Sequence, residues 1–301
     1  MFLSQVNLRK KDFLKYILGS FLVIIFNFLG QIPLMAYLIS QNVFEKEFAD
    51  PNELLSSIPS NTGLFLILLP FAISLLGLWF VVKKLHGQNM KIVATSRDKL
   101  DCSRILFAFV IWGFISSAMI LTDYFIAPEN YELNFKLIPF VILLCISVIM
   151  IPLQTSFEEY LFRGYLMQGF AGLFRNRWAP LIITSIVFGS LHFANPEIDK
   201  LGYNLIWWYM GTGLILGIMT LMDEGIELAL GVHAANNLFA ALLVTADWTA
   251  FQTESIFKYV SEPSLSKELI LSFLIFYPLL LIIFSKKYNW GDWKSKLFGK
   301  L

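Results

Sequence analysis

Apolar residues run along this chain in eight long blocks, approximately 14–40, 62–82, 104–122, 136–154, 179–195, 202–222, 227–246 and 268–285. Most hold about 17–25 residues, enough at ~1.5 Å per residue to cross a hydrocarbon core of ~30 Å. Lipid offers stray backbone groups no hydrogen bonds, so blocks of this kind predict helices; the short alternating strands of a β-barrel are absent. The expected fold is all-α: a polytopic integral membrane protein with about eight transmembrane helices.

The connecting segments alternate in charge. Arg9, Lys10 and Lys11 precede the first block, and Glu45, Glu47, Asp50 and Glu53 follow it. The stretch Lys83–Arg104 is basic, Asp123, Glu129 and Glu132 are acidic, Arg175 and Arg177 form a basic turn, and Glu197 and Asp199 follow the fifth block. Lys286, Lys287, Lys294, Lys296 and Lys300 mark the C-terminus. Counting Lys and Arg alone, as the positive-inside rule requires, puts both termini in the cytoplasm. An even number of spans agrees, and the short Asp223–Glu227 turn is the weak dissent. The N-terminus superficially resembles a signal peptide, but its apolar run continues to about Ile39 without a small-x-small cleavage site, so it reads as an uncleaved first span. The segments 41–62, with Pro51 and Pro59, and 246–267 read as surface loops with room for short interfacial helices. Gly211, Gly213 and Gly217 suit close helix–helix packing. With no repeat or soluble insertion in view, residues 1–301 are expected to form a single membrane domain.

Composition sharpens this picture. Hydrophobic residues make up 57% of the chain and charged residues 15%, which excludes an ordinary soluble globule. The 29 Phe and 8 Trp fit helices in lipid with aromatic belts. A net charge of +1 gives no field for nucleic acid. Cys102 and Cys145 cannot build a disulfide framework, and Cys145, in mid-span, reads as a small packing residue.

Against this apolar background Glu158, Glu159, Arg163, His192, His233 and Asn237 stand out, because the other blocks carry no Asp, Glu, Lys, Arg or His in their cores. A charge near mid-bilayer costs roughly 2.5 to 10 kcal/mol or more, so such residues usually face a wet, protein-lined cavity. Glu159 and Arg163 stand at i and i+4 and can pair, while Glu158 is rotated by ~100° and can point elsewhere. Phe188 and His192 share a helical face, as do His233 and Asn237. Singly, each has a plain alternative: an interfacial ion pair, a packing histidine, interhelical polar contacts. A helical hairpin turning near Arg175–Arg177 would set Glu158 and His192 at matching depth, ~23–26 Å from the turn. His233 is only ~12–15 Å from its own turn near Asp223–Gly225, so either the Arg175 turn protrudes or a helix breaks. Pro152 is the candidate break.

The ordered triplet E-E-x-x-x-R (Glu158, Glu159, Arg163), F-x-x-x-H (Phe188, His192) and H-x-x-x-N (His233, Asn237) resembles the signatures of one family. That family comprises the type II CAAX prenyl endopeptidases and their bacterial relatives, the CAAX protease and bacteriocin-processing (CPBP, or Abi) intramembrane glutamate proteases. The resemblance covers roughly residues 140–245, as a catalytic core between N-terminal spans (1–135) and a last span with a basic tail (268–301). It implies a metal-independent membrane hydrolase with its site between helices 4, 5 and 7, and no cofactor. Glu158 and His192 would hold and deprotonate a water, and His233 and Asn237 would stabilise the oxyanion. Glu159 and Arg163 would fix the helix and its electrostatics. Asn195 and Asn236 are either supporting residues or plain caps and packing. The expected partners are membrane lipid and a peptide or protein, lipidated or not: a CAAX-type tail, a leader peptide or a bacteriocin. The expected location is a bacterial inner membrane, and the oligomeric state is open.

Other readings compete. A zinc hydrolase could use a glutamate and two histidines, but H-E-x-x-H is missing. A serine or cysteine protease lacks G-x-S-x-G and an evident base for Ser190 or either cysteine. A proton-coupled transporter would show inverted halves, whereas the polar residues crowd into one half. A non-proteolytic role in bacteriocin self-immunity sits less well with an intact set of motifs.

Overall fold

Where water is excluded the backbone must bond to itself, and this chain does so almost entirely in helices. The structure, a computed structural model, describes residues 2–5, 13–43, 57–262 and 272–301. Arg9–Lys11, the acidic loop with Glu45, Glu47, Asp50 and Glu53, Pro51, and the start of the eighth block lie outside the described residues. Helix α1 spans Phe13–Ser40 and α2 Ser60–Phe80, the latter extended by a π-helical turn over Val81–Leu85. A short α3 (Met90–Ala94) leads to α4 (Cys102–Ile126), capped by the Asp101 carboxylate accepting from the Ser103 N–H at 3.0 Å. Helix α5 (Leu137–Glu159), a π-helical stretch (Tyr160–Leu166) and α6 (Met167–Phe174) make one helical run of 38 residues. There follow α7 (Trp178–Ser190) with a 3-10 turn over Leu191–Ala194, α8 (Glu197–Leu201), α9 (Leu205–Asp223) and α10 (Glu227–Leu243). The chain ends in α11 (Tyr277–Lys287) and α12 (Trp293–Phe298).

Among the described residues five helical runs are long and apolar enough to cross a membrane: Phe13–Ser40, Ser60–Leu85, Cys102–Ile126, Leu137–Phe174 and Leu205–Asp223. The fifth and seventh blocks form shorter apolar helices, Trp178–Ala194 and Glu227–Leu243, and the eighth falls partly outside the described residues. The molecule is an all-α polytopic membrane protein. Its outer surface is apolar, with Leu14, Phe21, Phe28, Phe114 and Phe125 all mostly exposed, as suits contact with acyl chains. Cys145 belongs to this surface, not to the packing expected of it: it is exposed on α5 beside exposed Ile142 and Ile149.

Both ends of the chain gather at one end of the bundle. The Leu301 N–H donates to the Arg175 carbonyl at 3.1 Å, and Lys296 reaches Glu224 at 2.6 Å. The Phe2 N–H donates to the same Glu224 carboxylate at 2.5 Å, so the turn between α9 and α10 holds both termini. Arg97 and Arg104 clamp this turn through Asp223 (2.8 and 2.5 Å) and Glu227 (3.1 Å to Arg97). At the opposite end lies a small sheet in the order β1-β3-β2, formed by Tyr131–Leu133 (β1), Val244–Thr245 (β2) and Phe257–Tyr259 (β3). β3 pairs antiparallel with β1 and parallel with β2. The segment after residue 246 therefore supplies the central strand, where a loop with interfacial helices was expected. Strands of two or three residues are too short to leave a period-2 signature.

The depth problem has a different solution from Pro152. Helix α5 continues through Pro152, and the register changes instead at the π-helical stretch Tyr160–Leu166. The turns at Arg175–Arg177 and Asp223–Glu227 lie together, with Arg177 and Glu224 3.8 Å apart, so neither protrudes alone. The surplus length between Glu159 and Arg175 is taken up by the π stretch and α6, which pack on α1, α3 and the N-terminal turn Phe2–Gln5. Gly164 sits so close to this packing that a Cβ would meet the Val93 carbonyl oxygen at 2.3 Å.

Candidate active site

The polar residues of the first and third motifs meet where the end of α5 packs on α10, and the π stretch that follows packs on α7 and α9. Glu158 and Glu159 close α5 as its last two residues, and Arg163 lies one turn further on, within the π stretch. Arg163 donates to the Glu159 carboxylate at 2.9 Å, both side chains being essentially unexposed (1% and 0%). Its other terminal nitrogen donates to the Gly213 carbonyl at 3.3 Å, and its guanidinium lies 4.3 Å from the Phe188 ring centre. Gly213 permits this approach: a Cβ there would come within 3.2 Å of the Ser185 Cα on α7. Phe188 thus places an aromatic face against the cation, as the second motif's helical spacing allows.

His233, one and a half turns into α10, stands between the two carboxylates. Its Nδ1 is 2.7 Å from Glu159 Oε1, and its Nε2 is 3.5 Å from Glu158 Oε2. The first is a short charge-assisted hydrogen bond, and the second is a close contact just beyond hydrogen-bond length. Glu158 Oε1 accepts from Gln154 Nε2 at 2.6 Å, whereas Glu158 Oε2 is buried and takes no hydrogen bond among the described residues.

Gln154 is the residue that motif reading missed. It lies one turn before Glu158, and its carbonyl accepts from Asn237 Nδ2 at 3.0 Å. Asn237 Oδ1 accepts in turn from Asn236 Nδ2 at 3.2 Å, and Asn236 Oδ1 from the Trp112 indole N–H at 3.2 Å. Every donor in this file points the same way: Trp112 to Asn236, to Asn237, to Gln154, to the Glu158 carboxylate. Aligned amide dipoles reinforce one another and end on the negative charge. A lone glutamine at i−4 from an intramembrane glutamate was a legible signal, because the pair shares one helical face.

His192 occupies the 3-10 turn that ends α7. Its Nδ1 faces the Phe188 carbonyl at 2.9 Å; a carbonyl only accepts, so Nδ1 carries the proton and the neutral ring leaves Nε2 as the lone-pair nitrogen. Glu158, His233 and Arg163 are its electrostatic neighbours. Tyr209, also absent from the motifs, stacks on the ring with centroids 4.0 Å apart and planes 21° apart. Asn195 lies outside this cluster and donates to the Tyr209 hydroxyl at 3.4 Å. Asn236 forms part of the amide file. Among the described residues no group of three His, Cys, Asp or Glu side chains is arranged to hold a metal ion.

Fold and site together define a polytopic membrane protein with a buried glutamate–histidine–amide cluster between its helices. Residues 135–239 match the family model "Type II CAAX prenyl endopeptidase Rce1-like". The family is one of membrane proteases. A relative in Bacillus subtilis (strain 168), "Uncharacterized protein YyaK", is 36% identical over 176 residues, which is 56% of this chain and 57% of the relative. The matched region thus spans somewhat over half the length of that curated relative. No solved structure matches.

Proposed function

We propose that the protein is an intramembrane endopeptidase in which Glu158 and His192 activate a water molecule without a metal ion. The observation that carries this reading is Glu158 itself, with one oxygen held by Gln154 and the other, buried Oε2 turned toward His233. That oxygen, or His192 Nε2, accepts a proton from the water as its oxygen bonds to the peptide carbonyl carbon. Asn237 keeps one amide N–H beyond the one given to Gln154, and it donates to the tetrahedral oxyanion. His233, its Nδ1 held at Glu159, turns its Nε2 edge toward the same oxyanion. The C–N bond then breaks, and the proton returns to the leaving amine. Glu159 and Arg163 hold the His233 ring and neutralise each other. The substrate class is a membrane-associated peptide or protein tail, of CAAX or leader type. A cytoplasmic position for both termini and a bacterial inner-membrane location complete the proposal.

The test is hydrolysis of membrane-tethered reporter peptides, one carrying a farnesylated tail, by the full-length protein in nanodiscs. Glu158→Gln and His192→Ala are each expected to lower kcat/KM by about 10²–10⁴-fold with normal insertion. Activity is expected to survive exhaustive chelation, with no stoichiometric zinc by elemental analysis. Loss on chelation that zinc restores would sink the metal-free mechanism, and full activity of Glu158→Gln would sink the role of the glutamate.

A further inference from the structure

Beside the catalytic cluster, on the next face of α10, lies a cavity of about 210 Å³ between α4, α9, α10 and α11. We infer that this cavity is a recognition pocket for one apolar side chain of the peptide substrate, whose neighbouring backbone carbonyl accepts the Trp208 indole N–H. The inference rests on the endopeptidase reading and extends it to substrate selection.

Three observations argue for this occupant. The wall is aromatic, with Trp112 and Tyr277 stacked at 4.9 Å and 8°, and Ala240 leaves room on α10. An apolar cavity of ~150 Å³ is enough to hold benzene, so this volume suits one aromatic or branched side chain and is too small for an extended lipid tail. Trp208 lines the cavity, and its buried Nε1–H finds no acceptor among the described residues. A buried donor without a partner costs free energy that an incoming carbonyl recovers. No Lys or Arg lines the cavity and Asp123 does, which disfavours an anionic lipid headgroup.

The pocket is also wired to the cluster. Trp112 and Asn236, both in its wall, are the first members of the amide file that ends on Glu158. Trp208 precedes Tyr209, the residue stacked on His192. A side chain seated here would lie within a few residues of the bond cut, and it would touch the far end of the hydrogen-bond file that orients the proposed base. The cavity extends toward Asp123 and Tyr131, at the end of the bundle that carries the small sheet.

The test uses the full-length protein in lipid nanodiscs with N-acetyl-4-fluorophenylalaninamide, which combines the aromatic group and the acceptor carbonyl, followed by fluorine NMR. Saturable binding above that of empty nanodiscs is expected. Trp208→Phe keeps the ring, removes the donor and is expected to weaken binding about three- to tenfold. Ala240→Phe fills the cavity and is expected to weaken it at least tenfold. Glu158→Gln, which stops hydrolysis under the proposed mechanism, should still bind the probe. Partition equal to empty nanodiscs, or equal affinity in all three variants and the parent protein, would overturn the pocket. Binding that follows Trp208 and Ala240 in a protein that hydrolyses no reporter peptide would uphold the pocket and refute the protease reading.

Discussion

Replacing Arg163 by Met tests the electrostatic heart of the cluster without any knowledge of the substrate. The side chains of Arg163 and Glu159 are 1% and 0% exposed, so solvent screening gives almost no relief. Removing the guanidinium leaves the Glu159 carboxylate with His233 as its remaining partner and abandons the Gly213 carbonyl. Breaking a buried pair on one side costs about 3–5 kcal/mol, because it strands a desolvated charge. Glu159→Gln should cost a similar amount, since it strands the arginine. The double variant Arg163→Met/Glu159→Gln removes both charges and should be more stable than either single one, a coupling of opposite sign to the individual losses. Thermal unfolding in one detergent or lipid system reads this out, with the single variants expected to melt roughly 6–15 °C below the parent protein. Singles that melt within a degree of the parent, or losses that simply add in the double variant, would refute a buried, mutually dependent ion pair.

Gln154→Leu preserves bulk while removing the donor to Glu158 and the acceptor for Asn237; reporter hydrolysis should fall about 10²-fold, chiefly in kcat. Gln154→Asn, one methylene short, should not restore it, whereas equal activity in all three proteins would show the amide file to be incidental. Gly164→Ala forces a methyl against the Val93 carbonyl oxygen and is expected to destabilise by about 1–3 kcal/mol in the same melting assay. At the terminus-bearing end, burial pushes the Glu224 carboxyl upward, but the hydrogen bond from Lys296, the Phe2 N–H and the charges of Lys296 and Arg177 outweigh it and hold it below its ordinary value. A depressed folded-state value means that its contribution is present above the unfolded carboxylate range near pH ~4.3 and is lost as pH falls through the folded value. Glu224→Gln should therefore flatten the acid side of the stability profile, and an unchanged slope would count against the clasp.

Lengths and composition of the apolar blocks were sufficient to read the class of fold, because a hydrocarbon solvent admits so few backbone solutions. The pairing of Glu159 with Arg163 and the shared face of His233 and Asn237 were legible for a similar reason: they follow from the pitch of a single helix. Shorter features escaped. The small sheet joins residues more than a hundred positions apart through strands of three residues or fewer. Cys145 points outward because helix rotation depends on what packs against α5, and its own block is apolar on every side.

Local sequence, then, determined which side chains could carry chemistry and which of them share a helical face. Tertiary structure decided what they do to one another. It set His233 between two carboxylates drawn from a different helix, and it directed Asn237 through Gln154 onto Glu158. It also replaced the expected break at Pro152 with a π-helical stretch after Glu159. The physical reason is the range of the forces involved. Helix pitch and hydropathy act within a few residues and are written in order along the chain. Hydrogen-bond partners and cavity walls come from helices that meet only once packing fixes their depth and rotation.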